Sequence, residues 1–200
     1  MPRRPNRRQF LKASTAAGLG YWVAGTQSAW AASKLKNGKL NVGAIGCGGM
    51  GGSDVNNLAA AGANIVALCD VDWGRAKGAF DAHPNARRFK DFREMLEKMG
   101  KEIDACNIST PDHTHAVATM AAMRAGKHVY TQKPLTHGVH EARVLTEAAA
   151  KLGLVTQMGN QGTAEPGLRE AVEVVWSGVL GPVTDVHVWT NRPVWPQGAG

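Results

Sequence analysis

The chain has 200 residues, 44% of them hydrophobic, which is enough for one or two domains with a packed core. Its formal net charge is +7, but Arg3, Arg4, Arg7, Arg8 and Lys12 supply five of those charges before any acid occurs, leaving +2 for the remainder. A nearly balanced remainder with no basic stripe among aromatics excludes nucleic acid as a partner, and Cys47, Cys69 and Cys106 have neither metal spacing nor the number for a disulfide framework.

Residues 1–32 read as a leader. Asn6-Arg7-Arg8-Gln9-Phe10-Leu11-Lys12 resembles the twin-arginine export signal, with Asn where Ser or Thr is common. The apolar stretch from Ala13 to Ala24 is interrupted by Gly18 and Gly20 and is short of the ~20 residues a spanning helix needs, so no stable membrane insertion is expected. Ala29-Trp30-Ala31 offers small residues at a cleavage site. The expectation is passage through the twin-arginine machinery to the periplasm or beyond.

After a polar linker from Ser33 to Gly38, Leu40-Asn41-Val42-Gly43-Ala44-Ile45 predicts a strand that runs into Gly46-Cys47-Gly48-Gly49-Met50-Gly51. That is G-x-G-x-x-G, followed by a predicted helix over 54–61. Gly46 allows the tight turn, Gly48 the approach of a pyrophosphate, and Gly51 close packing of helix on strand; Gly49 and Met50 complete the cradle. The helix start offers N–H groups and partial positive charge to phosphates. A second strand, 64–69, ends on Asp70, 19 positions after Gly51 and close to the ~20 expected of a carboxylate that holds a ribose 2′-hydroxyl. Together these predict a dinucleotide site that favours NAD over NADP, because Asp70 would repel a 2′-phosphate.

Further along, a helix is predicted over 75–82, closed by His83-Pro84, then a short strand at 87–89 and a helix with Phe92, Met95, Leu96 and Met99 at helical spacing. A strand at 103–108 leads into the loop Ser109-Thr110-Pro111-Asp112 and a helix over 115–125. A strand at 128–130 leads into Thr131-Gln132-Lys133-Pro134-Leu135, read as a loop, and a helix over 139–152 follows. A strand at 154–158, a turn at 159–162 and a helix over 168–176 come next. Strands alternating with helices predict an α/β fold, a doubly wound parallel sheet over residues 33–180. Residues 183–190 then alternate with period two, as a half-exposed strand would, and open a second domain that is incomplete at Gly200.

Ligands of such sheets bind outside the carboxyl ends of the strands. The loops there carry Thr110, Pro111, His115, Gln132, Lys133 and Asn160. Lys133 is the candidate catalytic group, since an ammonium beside the nicotinamide could hold a substrate hydroxyl and stabilise alkoxide character. His113 and His115 stand two apart at a helix start, where metal ligation would require four, so no metal is expected. His115 is expected to line the cofactor cleft.

The runs Ser109-Thr110-Pro111-Asp112-His113-Thr114-His115, Ala125-Gly126-Lys127-His128-Val129-Tyr130 and Gln132-Lys133-Pro134-Leu135 resemble the Gfo/Idh/MocA family, over roughly residues 39–192. The resemblance implies a Rossmann domain followed by an α/β domain with a large open, mainly antiparallel sheet, which covers the nicotinamide and serves in homo-oligomer contacts. It implies that Lys133 contacts nicotinamide ribose and substrate, with a bond to Pro134 that is often cis. Thr110, Pro111 and His115 match the loop over the cofactor, and Asn160 matches a further cleft contact. Gln132 departs from the family, which usually has Glu there, and the family's acid/base pair lies beyond Gly200.

The activity this implies is hydride transfer between NAD and a sugar, polyol or related hydroxyl compound. Two alternatives stand beside it: glycosidase- or epimerase-type chemistry through transient oxidation, and nucleotide or sugar binding without catalysis.

Overall fold

A computed structural model describes residues 38–190; the leader and the segment 191–200 lie outside them. The described residues divide into two compact units, the first ending at Gly159 and the second beginning at Asn160.

The first unit is built on β1 (Asn41–Ile45), β2 (Asn64–Cys69), β3 (Arg87–Phe89), β4 (Ala105–Ile108), β5 (His128–Gln132) and β6 (Thr156–Gly159). They form one sheet in the order β3-β2-β1-β4-β5-β6 with every pairing parallel. The helices are α1 (Met50–Ala60), α2 (Lys77–Ala82), α3 (Phe92–Met99), α4 (His115–Arg124) and α5 (Val139–Leu152). This is the Rossmann arrangement read from the alternation of elements.

The central strands are apolar on both faces, as a sheet covered on both sides requires. Val42, Ala44 and Leu68 pack with Val55 and Phe80 from α1 and α2. Ile45, Cys69 and Ile108 pack on the opposite face with Met95, Met99, Met123 and Leu145 from α3, α4 and α5. Each such side chain taken from water contributes about 1.5–3 kcal/mol.

Local chemistry sets the helix ends. Asp91 accepts from Arg93 N at 2.8 Å and starts α3. Glu141 reaches back to Gly138 N at 2.9 Å and starts α5, which ends at Gly153 in the left-handed region. Lys127 donates to Gly100 O and Ile103 O, just beyond the C-terminus of α3, where a cation is favoured.

Several expected boundaries move. The first helix begins at Met50, so Met50 and Gly51 belong to it. Thr131 and Gln132 are the last residues of β5 rather than loop, because both pair with β4 or β6. Gly159 ends β6, and Gln161–Ala164 form a helical turn, α6.

The second unit, described by itself, contains α6 and α7 (Pro166–Trp176), with Pro166 in the first turn. The strand expected at 183–190 is absent: residues 183–190 have no regular structure and are exposed. A single strand has no ladder partner, so alternation alone does not form one. Among the described residues no helix is long and apolar enough to cross a membrane.

Candidate functional site

The strand order reverses between β1 and β4, and the crevice at their carboxyl ends is where such sheets take ligands. Three loops meet there. Gly46, at φ +83°, turns the chain out of β1, and a Cβ on it would lie 2.6 Å from Ser109 O. Loops 46–51 and 109–115 therefore touch backbone to backbone. His115 joins the second loop to the third: Nδ1 lies 2.6 Å from Pro134 O and Nε2 2.7 Å from Thr110 O.

That places His115 differently from expectation. It is 1% exposed with both ring nitrogens engaged, so it holds the loops that frame the cleft rather than lining it. His113 is exposed, and among the described residues no three His, Cys, Asp or Glu side chains gather where they could hold a metal.

The loop from Gly46 to Gly51 has the form of an anion cradle. A Cβ on Gly51 would stand 2.1 Å from Gly46 O, so only glycine lets α1 start this close to the strand. Gly49 precedes α1 with no side-chain cap, and its first turn carries no acid. The positive end of this helix is thus offered with neither a side-chain cap nor an acid in its own first turn. Gly49 and Met50 are exposed at the rim.

Asp70 closes the cradle from below. Its Oδ2 accepts from Cys47 N at 2.7 Å and Gly48 N at 3.2 Å, and its Oδ1 accepts from Asp72 N at 2.9 Å. The carboxylate thus braces the glycine loop and stays only half-buried, with an edge open to solvent. Arg75, which no sequence motif singles out, stands beside the loop: its guanidinium comes within 3.5 Å of where a Cβ on Gly49 would be.

Thr110 and Pro111 lie on the loop after β4, and Thr110 Oγ1 is buried without a hydrogen-bond partner, as is Asn107 Oδ1. Lys133 is exposed, and its ammonium makes no hydrogen bond or ion pair among the described residues. The Lys133-Pro134 bond is cis. Gln132, by contrast, is 4% exposed and lies inward beneath this loop. Asn160 belongs to the second unit, where its carbonyl accepts from Thr163 N and Ala164 N at 3.1 and 3.2 Å.

Asp54 is the site residue missed in the sequence. It is 6% exposed on α1, and its Oδ2 accepts from Ser109 Oγ at 2.7 Å and Gln132 Nε2 at 2.8 Å. The available signal was its position: an acid in the second turn after a glycine loop faces the sheet. Burial raises the Tyr130 hydroxyl on the neighbouring strand, with the charge of Asp54 adding to it.

A tight glycine cradle at a helix start without a side-chain cap and a carboxylate at the end of β2 together fit a dinucleotide. Comparison with known proteins agrees. Residues 40–160 match the Gfo/Idh/MocA model, described as an oxidoreductase family with an NAD-binding Rossmann fold. Inositol 2-dehydrogenase 2 of Saccharopolyspora erythraea is 33% identical over 151 residues, 74% of this chain and 44% of that protein. A glycosyl hydrolase family 109 protein of Solibacter usitatus is 32% identical over 68% of this chain and 34% of its own. The structure of scyllo-inositol dehydrogenase from Lactobacillus casei with bound NAD(H) and scyllo-inositol superposes with a TM-score of 0.65 at 26% identity, covering 73% of this chain and 43% of that one. The chain spans less than half the length of these relatives. It belongs to the Gfo/Idh/MocA family of NAD-binding oxidoreductases.

Proposed function

We propose that this chain is the nucleotide-binding half of an oxidoreductase that moves hydride between NAD and a hydroxyl-bearing carbon of a sugar, polyol or related compound. The observation that carries the reading is the unpartnered Lys133 ammonium, presented at the crevice by the loop that His115 fastens to the cradle. NAD, when bound, supplies the hydride acceptor. The α1 start and loop 46–51 hold its phosphates, Asp70 receives its adenosine ribose, and Thr110 and Pro111 border the nicotinamide end. Lys133 contacts the nicotinamide ribose, orients a substrate hydroxyl and stabilises the negative charge that builds on its oxygen as hydride leaves.

Titrating the 200-residue chain with NADH and NADPH, followed by energy transfer from Trp73, tests the reading. Saturable binding that favours NADH is expected. In Asp70→Ala the preference narrows, because the repulsion of a 2′-phosphate is gone, and NADH also weakens because the loop has lost its brace. A folded chain that binds neither nucleotide refutes the proposal.

Transient oxidation is the second reading, favoured by the similarity to the family 109 glycosyl hydrolase protein. Nucleotide retained through purification, with no net NADH formed on turnover, would select it. The leader belongs to the proposal as a twin-arginine signal, which suits a protein that acquires its nucleotide before export. Processing after Ala31 or Ala32 and loss of export in Arg7→Lys/Arg8→Lys are expected. Homo-oligomerisation would come from residues beyond the Rossmann unit.

A further inference from the structure

Gln132 and Lys133 leave β5 side by side, yet only Lys133 reaches solvent. The amide of Gln132 lies between two groups with opposite demands. Its Nε2 donates to Asp54 Oδ2 at 2.8 Å, and its Oε1 accepts from the backbone N of Lys133 at 3.2 Å. The same Asp54 oxygen accepts from Ser109 Oγ at 2.7 Å, which itself receives Asn107 Nδ2 at 3.1 Å. The chain of bonds ties α1 to the ends of β4 and β5, the elements that frame the crevice.

The direction of these bonds is dictated by chemistry. A carboxylate only accepts and a backbone N–H only donates, so the group between them must donate on one side and accept on the other. An amide does both. A carboxylate in its place would face Asp54 oxygen to oxygen unless one proton were held between them. An apolar side chain would leave the buried Asp54 and the Lys133 N–H each without that partner.

We infer that Asp54 and Gln132 form a matched pair of positioning residues: Asp54 sets which way the Gln132 amide faces, and the amide fixes the Lys133 backbone from which the ammonium reaches its ligand. This rests on the reading of Lys133 given above and names what aims it.

Reversing the pair tests it. Gln132→Glu puts two carboxylates together, whereas Asp54→Asn/Gln132→Glu again sets a donor opposite an acceptor with the polarity exchanged. NADH affinity is measured at about pH 8 and about pH 6, in wild type, both variants and each combined with Lys133→Ala. Gln132→Glu is expected to weaken NADH about tenfold at the higher pH and to recover at the lower one, where a shared proton joins the two acids. The double variant should lie within about threefold of wild type at both. In the Lys133→Ala background the cost of Gln132→Glu should fall below about twofold, which a merely structural role would not produce.

Equal losses with and without Lys133, or a double variant no better than the single, overturn the inference. Should Gln132→Glu fail to fold, the double variant must fold and bind; if it too fails, the pairing is wrong. Absence of NADH binding by wild type would instead refute the nucleotide reading itself.

Discussion

Gly51 is the position at which one added methyl group should do the most damage. A Cβ there would lie 2.1 Å from Gly46 O and 2.8 Å from Gly46 C, with Ser109 Cβ at 3.2 Å. Optimal heavy-atom contacts are about 3.5–4.0 Å, so α1 must retreat from the turn by roughly 1 Å or more. The two closest atoms are backbone and cannot swing aside. Gly51→Ala should therefore cost about 3 kcal/mol, the upper end for overpacking, and lower Tm by roughly 10 °C. The same retreat misplaces N–H donors aimed at phosphate, and losing one charge-assisted hydrogen bond weakens NADH by about 10–100-fold. Gly78→Ala is the control, since nothing lies within 4 Å of the added carbon and the site is inside α2. It should stabilise by about 0.5–1 kcal/mol and leave NADH binding unchanged. Urea unfolding and NADH fluorescence decide the matter. A folded Gly51→Ala chain that binds NADH within twofold of wild type would refute the close-packing argument.

The three thiols give a pH prediction. Burial pushes Cys47, Cys69 and Cys106 up to about 12 from an ordinary 9.0, with Asp70 adding to the first two. The unfolded chain gives up these protons first, so the thiols' contribution to stability is whole below about pH 9 and drains away as pH rises towards 12, each thiol losing about 1.4 kcal/mol for every step of one in pH. Urea midpoints should fall steeply over that range, and a flat profile would contradict the burial. At pH 8 the same elevation makes the native thiols react with an alkylating reagent about a thousandfold more slowly than unfolded ones. Lys127→Met removes the donor to Gly100 O and Ile103 O beyond α3. It should cost about 1–2 kcal/mol without altering NADH affinity once the chain is folded, as paired urea and binding titrations will report.

The Rossmann unit was legible because its signals are local. Apolar strands, glycine or proline punctuation and helical spacing recur from Asn41 to Gly159, and each satisfies its backbone against a neighbour that the alternation itself predicts. The stretch 183–190 shows the limit of that logic. Its period-two pattern meets the side-chain requirement of a strand but brings no partner for its N–H and C=O groups. The same distinction explains Thr131 and Gln132, which have loop-like neighbours in sequence but sit between β4 and β6 in register.

The site divides along the same line. Spacing from the first strand singles out Gly46, Gly51 and Asp70, and loop position together with the family resemblance singles out Lys133. The roles of His115 and Asp54 depend on residues far away in sequence: Pro134 for the first, Ser109 and Gln132 for the second. Read by itself, Gln132 is an amide where the family usually carries an acid, and it suggests a weakened site. Set 2.8 Å from the buried carboxylate of Asp54, it is the residue type that the neighbour demands. A second acid there would have to share a proton with the first, and the backbone of Lys133 would then depend on pH. The departure at 132 and the acid at 54 are therefore one feature, visible only when residues 78 positions apart are seen to touch.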